Sequence, residues 1–131
     1  MSNKLNKILT EISAGELFDK ITILEIKKVK ITNKDKLVEI EKELSSLNET
    51  VKKFIPDQSN ISEYINDLKK INLKLWDIED GKRASEKKKD FGEQFIKLAR
   101  DVYKINDERA KVKLAINNTL GSNIKEVKSY E

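Results

Sequence analysis

The chain has no cysteine and no histidine. Disulfides, thiolate nucleophiles, imidazole bases and Cys/His zinc sites are therefore excluded. No serine or threonine has a histidine base, so a serine triad is excluded as well. Proline occurs once and glycine four times in 131 residues, and the glycines stand isolated at 15, 81, 92 and 121. That leaves no Gly-rich phosphate loop and too few turn formers for a many-stranded fold. No apolar run reaches 18 residues, and the first twelve residues lack the apolar core of a signal peptide. These absences lead us to expect a cytoplasmic protein with no membrane-spanning segment.

Charge is what the chain has in quantity. Charged residues make up 38% of it, with 27 Lys and Arg against 23 Asp and Glu, a net charge of +4. Lysine and glutamate alternate rather than cluster. Lysines at 27–30 and 87–89 read as solvated helix ends, and no nucleic-acid partner is expected. Only Arg83, Arg100 and Arg109 are arginine. The length suits one domain over residues 1–131, burying roughly two thirds of its unfolded surface.

The periodicity is helical throughout. Residues 15–31, GELFDKITILEIKKVKI, follow an S-x-x-E capping box at Ser13 and Glu16. Leu17, Ile21, Leu24 and Ile31 share one face, and Phe18, Ile23, Ile26 and Val29 cover much of the rest. An arc so wide needs cover on several sides, so this helix, about 14–31, is expected to be central. Asp19 and Glu25 lie inside that arc and need partners. A second helix, about 35–54, carries the heptad seam Leu37, Ile40, Leu44, Leu47, Val51 and Phe54, and Pro56 ends it. A third, about 61–88, carries Ile61, Tyr64, Ile65, Leu68, Leu75 and Trp76, flanked by Ile71 and Ile78, with Gly81 as an interruption. Asp90 is the expected cap of a fourth, about 91–119, aligned on Phe91, Phe95, Leu98, Val102, Ile105, Val112 and Ile116. Leu120-Gly121 reads as its C-cap. The tail 122–131 alternates and is expected to pair as a short strand with the N-terminal arm. The fold class is therefore all-α, a four-helix antiparallel bundle built on a long helical hairpin.

Polar residues interrupt the seams of the last two helices. Asn72, Glu79, Arg83 and Glu86 share the arc of Leu68 and Leu75, and Glu79–Arg83 and Arg83–Glu86 are at pairing distance along a helix. Arg109 lies between Ile105 and Val112, flanked by Asn106 and Lys113. Two readings follow. In one, Glu25, Glu79 and Glu86 pair with Arg83, Arg109 and Lys113 and set helix register. In the other, Arg83, Arg109 and Lys113 face a pocket for an anion, the arginine fork suiting carboxylate or phosphate. The candidate ligand-binding set is thus Arg109, Lys113, Arg83, Asn106, Glu79, Glu86 and Glu25. No metal site and no cofactor are expected, since no Glu-x-x-His pattern or calcium loop accompanies the acids.

Several stretches together carry a resemblance. They are Gly15-Glu16-Leu17, Asp19 to Lys27, Leu75-Trp76, Ile78-Glu79-Asp80, Arg83, Glu86, Phe91-Gly92 and Val102-Tyr103. Asn106-Asp107, Arg109-Ala110, Lys113, Ile116-Asn117, Gly121-Ser122, Glu126 and Lys128-Ser129-Tyr130 complete the pattern. The chain resembles an uncharacterised family of small bacterial proteins, a domain of unknown function. Gly81-Lys82 stands where the resemblance calls for an acidic and then an apolar residue. The resemblance implies a helical protein often encoded near glycosyltransferase or surface-glycan genes, and no established activity. Three functions stay open. The first is a non-catalytic helical interaction module acting with glycan-assembly proteins, a homodimer through the seam of its long helices. The second is a binder of a small anion such as a sugar phosphate or nucleotide sugar. The third is a small helical enzyme of the chorismate-mutase kind.

Overall fold

The structure, a computed structural model, describes residues 4–128. Its four helices are α1 (Ala14–Lys30), α2 (Lys34–Phe54), α3 (Ser62–Lys88) and α4 (Glu93–Leu120). The all-α expectation holds, and each helix begins and ends within two residues of its expected span. α3 and α4 form a long antiparallel hairpin. α1 packs against all three other helices, whereas α2 approaches α1 alone.

α1 is held at its first turn. Ser13 is the N-cap, and its Oγ accepts from the Glu16 amide at 3.1 Å. The two amides between them find acceptors from the far end of the chain. Ala14 N–H donates to Ser122 Oγ at 3.1 Å, and Gly15 N–H donates to Asn117 Oδ1 at 2.6 Å. The Glu16 carboxylate turns to Lys113 and Lys20 rather than back to the cap. Gly15 permits this approach because a Cβ there would run into the Lys113 carbonyl oxygen.

The core joins Leu17, Phe18, Ile21 and Leu24 of α1 to Ile40, Leu44 and Val51 of α2, with Ile61, Leu68 and Ile116. The heptad seam of α2 is thus used inside the chain, except for Phe54, which is exposed. Val29, expected to be covered, is 81% exposed, because α1 ends one residue later. At 1.5 Å per residue α1 spans about 25 Å and α3 and α4 about 40 Å each. The long hairpin therefore outruns the core. No residue of α3 beyond Ile78, and none of α4 before Lys113, is fully buried.

Three local expectations change. α3 runs unbroken through Gly81, where Leu98 of α4 packs so closely that a Cβ would meet its Cδ1 at 3.0 Å. Asp90 does not cap α4. Gly92 is the N-cap, and Asp90 Oδ1 accepts from the Gly92 amide at 3.1 Å. The termini do not pair as strands, for no strand occurs among the described residues. They meet by side chains: Asn123 Nδ2 donates to Glu11 Oε2 at 2.7 Å, and Ser122 is engaged at Ala14. The tail positions Ser129 and Tyr130 lie outside the described residues. Gly121 closes α4 in the left-handed region, as expected.

The two close glycines should respond differently to alanine. Each gains about 1 kcal/mol of helix propensity. At Gly15 the obstacle is backbone, so Gly15→Ala should lose about 1–3 kcal/mol net in urea unfolding. At Gly81 the obstacle is the end of a leucine, so Gly81→Ala should be near neutral. An unchanged midpoint for Gly15→Ala would disprove the α1–α4 approach.

Candidate functional site

The buried carboxylate that needs a partner is Asp19, only 1% exposed. Arg109 of α4 meets it side-on, Nε donating to Oδ1 at 2.9 Å and Nη2 donating to Oδ2. Asn72 of α3 donates through Nδ2 to Asp19 Oδ1 and to Thr22 Oγ1, both at 3.0 Å. Thr22 in turn donates to the Asp19 carbonyl at 2.8 Å. Arg109 Nη1 reaches Asn106 Oδ1 at 3.4 Å. One network therefore ties three helices. Burial by itself pushes the Asp19 carboxyl up, but hydrogen bonds from Arg109 and Asn72 and the charges of Arg109 and Lys113 outweigh it. The net shift is downward. Arg109 is shifted up, chiefly by its bond to Asp19.

Nearby, Lys113 is 7% exposed and its ammonium holds two carboxylates, Glu16 Oε2 at 2.7 Å and Glu126 Oε2 at 2.8 Å. Burial alone lowers its pKa, yet the bonds to Glu126 and Glu16 and the charge of Asp19 leave it raised. Glu126 is lowered, mainly by Lys113. Among the described residues no buried side-chain nitrogen or oxygen lacks a hydrogen-bond partner. Nor does any group of three or more acids there stand ready to hold a metal.

Above the Asp19 network, α1, α3 and α4 enclose a cleft of about 540 Å³. Ile23, Ile26, Leu75, Trp76 and Val102 supply apolar walls. Asn72, Asn106 and Arg109 lie toward its floor, and Glu79, Asp80 and Arg83 at its exposed side. The volume falls in the range of small-molecule sites, which combine apolar walls with a few convergent polar groups.

The structure brings four of the seven candidates, Arg109, Asn106, Arg83 and Glu79, to this one cleft. Lys113 lies in an adjoining hollow that shares Asn106 and Arg109 with it. Glu86 is exposed on the part of α3 that outruns the core. Glu25 is half-exposed at the edge of α1, 3.9 Å from Lys69. The expected pairings are replaced: Asp19 takes Arg109, Glu16 and Glu126 take Lys113, and Glu79 sits 3.4 Å from Lys82. Asp19 rather than Glu25 is buried because α3 and α4 close over that side of α1. Periodicity marked both acids equally and could not tell which side would be closed. Trp76, read as core, lines the cleft, and Glu126 carried no helical signal at all.

Removing Arg109 should leave a charge buried at Asp19. Arg109→Met is expected to lose about 3 kcal/mol or more, and adding Asp19→Asn should restore part of it. Because the Asp19 pKa is lowered, its contribution is present above the ordinary value of 3.8 and is lost as pH falls below that. Stability in the double variant should therefore depend less on pH in that acid range. Equal acid dependence in both proteins would rule out the ion pair as a source of stability.

Comparison with known proteins places the chain at family level. Among curated proteins and among solved structures, no match was found. The model of a family of unknown function, DUF6165, matches residues 8–131. The match covers nearly the whole chain, including all four helices and both polar clusters, and the protein belongs to that family.

Proposed function

We propose that the protein is a non-catalytic helical binding module whose working surface is the cleft between α1, α3 and α4. The observation that carries this reading is the chemistry of the cleft. An indole and aliphatic side chains line it together with amide, guanidinium and carboxylate groups within about 540 Å³. Such a lining suits a small molecule with a flat or apolar face and several hydroxyl or charged groups, as a sugar phosphate or nucleotide sugar has. The surface-glycan context implied by the family resemblance makes those compounds the first to try. Catalysis of the chorismate-mutase kind asks for interior cations turned to a substrate. Here Arg109 gives two donors to Asp19, and Lys113 is held by Glu16 and Glu126, which favours binding over turnover.

A second reading, docking to another protein or to a second copy, has its own observation. On α4, Ile96, Tyr103, Ala110 and Leu114 recur at 7, 7 and 4 residues on one line, and Ile96, Tyr103 and Leu114 are exposed. A homodimer through this stripe should run at twice the monomer mass in light scattering at tens of micromolar. Tyr103→Glu should return it to monomer. A monomeric wild-type protein would eliminate the dimer.

Trp76 is the only tryptophan, so the cleft has a built-in reporter. Titration with sugar phosphates, nucleotide sugars and small dicarboxylates should change its emission saturably. The ligand at 100 times its dissociation constant should add about 2.7 kcal/mol to stability. Arg83→Ala, at an exposed position, should weaken binding about tenfold without lowering the melting temperature. If no compound alters emission or melting, the cleft reading fails.

A further inference from the structure

The stripe along α4 carries charge as well as apolar surface. Interleaved with Ile96, Tyr103 and Leu114, the same exposed side of the helix presents Glu93, Arg100, Asp107 and Lys111. At 3.6 residues per turn all seven fall within about 80° of arc. The charges alternate along it: acid, base, acid, base. Among the described residues none of the four stands in an ion pair, whereas their neighbours Lys97 and Asp101 hold each other at 2.7 Å.

That alternation decides how two copies of the face can meet. Laid side by side in the same direction, α4 on α4 sets each residue against itself. Arg100 then faces Arg100, Asp107 faces Asp107, and like charges so placed repel. Laid antiparallel, with a twofold axis passing beside Tyr103, residues whose numbers sum to about 207 face each other. Arg100 meets Asp107 of the second copy, and symmetry makes the contact twice. Glu93 falls about one turn from Lys111, within reach of that long side chain.

The apolar residues fit the same register. Asp107, Ala110, Lys111 and Leu114 are spaced i, i+3, i+4 and i+7, the four corners of a hole that takes one side chain from a facing helix. They wall a hollow of about 680 Å³ whose other side is the tail, where Val127 is exposed. Ile96 of a second copy lies opposite the middle of that hole. Two isoleucines thus fill two hollows, one on each side of a central pair of tyrosines.

We infer that two copies of the chain pair antiparallel through α4, Arg100 of each on Asp107 of the other and Ile96 of each in the hollow of the other. This rests on the docking of a second copy to the stripe, proposed above, and adds its direction and register. Val102 and Arg109, which line the cleft, lie about 100° or more round α4 from Tyr103. The cleft therefore stays open in the pair, and its titration through Trp76 is independent of pairing.

Sedimentation equilibrium of the full chain at low ionic strength gives the dissociation constant of the pair. Arg100→Glu and Asp107→Arg should each raise it about tenfold, because each sets like charges face to face at two places. The double exchange restores both contacts with their signs reversed and should return the constant to within about twofold of wild type. In a parallel pair each single exchange only replaces one like pair with another, and nothing should change. The absence of cysteine gives a second readout, since introduced thiols have no background. Ile96→Cys mixed with Lys111→Cys should form a disulfide-linked pair under mild oxidation. Ile96→Cys alone should not, its two copies lying about 22 Å apart. A wild-type dimer indifferent to the single exchanges, a double exchange that fails to rescue, or Ile96→Cys joined to itself would overturn this register and leave the docking reading standing. A monomeric wild-type protein would overturn both.

Discussion

The side-on pairing of Arg109 with Asp19 is the contact on which the arrangement of α1, α3 and α4 turns. A carboxylate only 1% exposed is tolerated because it accepts from Arg109 through both oxygens and from Asn72 through one. Each partner comes from a different helix, so any rotation of α3 or α4 about its axis would strand the charge. Aliphatic packing tolerates such rotation, since leucine and isoleucine exchange neighbours at small cost. The directional network does not, and breaking one arm is more damaging than replacing the whole. Hydrophobic burial supplies the driving force for assembly, and the Asp19 cluster selects one register among those that burial would allow.

The same selection recurs at the first turn of α1. Of its three successive amides, Ser13 caps one, while Asn117 and Ser122 of the far end of the chain cap the others. An isolated 17-residue helix of this composition would be marginal in water. Its first turn is completed only when α4 has arrived, 102 residues away in the chain at Gly15–Asn117. Gly15 makes the approach close enough, and Lys113 one turn from Asn117 then meets Glu16. Capping, close packing and ion pairing thus act on one small area, and both polar clusters of α4 owe their position to it.

Much of the architecture was legible because it rests on period alone. The four helices, the central place of α1 and the inward seam of α2 follow from where apolar residues recur. What was not legible depends on which side of a helix is closed by a distant neighbour. Asp19 and Glu25 lie equally deep in the apolar arc of α1, yet only Asp19 lies between α3 and α4, whereas Glu25 meets Lys69 of α3 at the edge. Arg83 and Glu86 share the seam of Leu68, but beyond Ile78 no residue of α3 is fully buried, and a seam that is not closed over is a wet surface. Gly81 read as a fault in a helix because the pattern of one helix cannot show Leu98 packing on it from another. Glu126 stood in the resemblance pattern, but its contact with Lys113 was not legible, because an irregular segment has no period from which a contact can be inferred.

The cleft follows from the mismatch in length between α1 and the hairpin. α1 contributes Ile23 and Ile26 to one wall against Trp76 and Val102 and stops at Lys30, while α3 and α4 carry on, with Glu79, Asp80 and Arg83 open to water. The floor of that opening is rigid, because Asn72, Asn106 and Arg109 are fixed by the Asp19 network beneath it. Its exposed side carries the side chains of Arg83 and Asp80, which reach solvent and are free of that network. A rigid polar floor under adaptable charged edges is an arrangement that places a ligand with little loss of entropy at one end and adjusts to it at the other. The structural network and the candidate site are therefore not rivals for the same residues. Arg109 serves the first through its Nε edge, and serves the second by holding the floor in place.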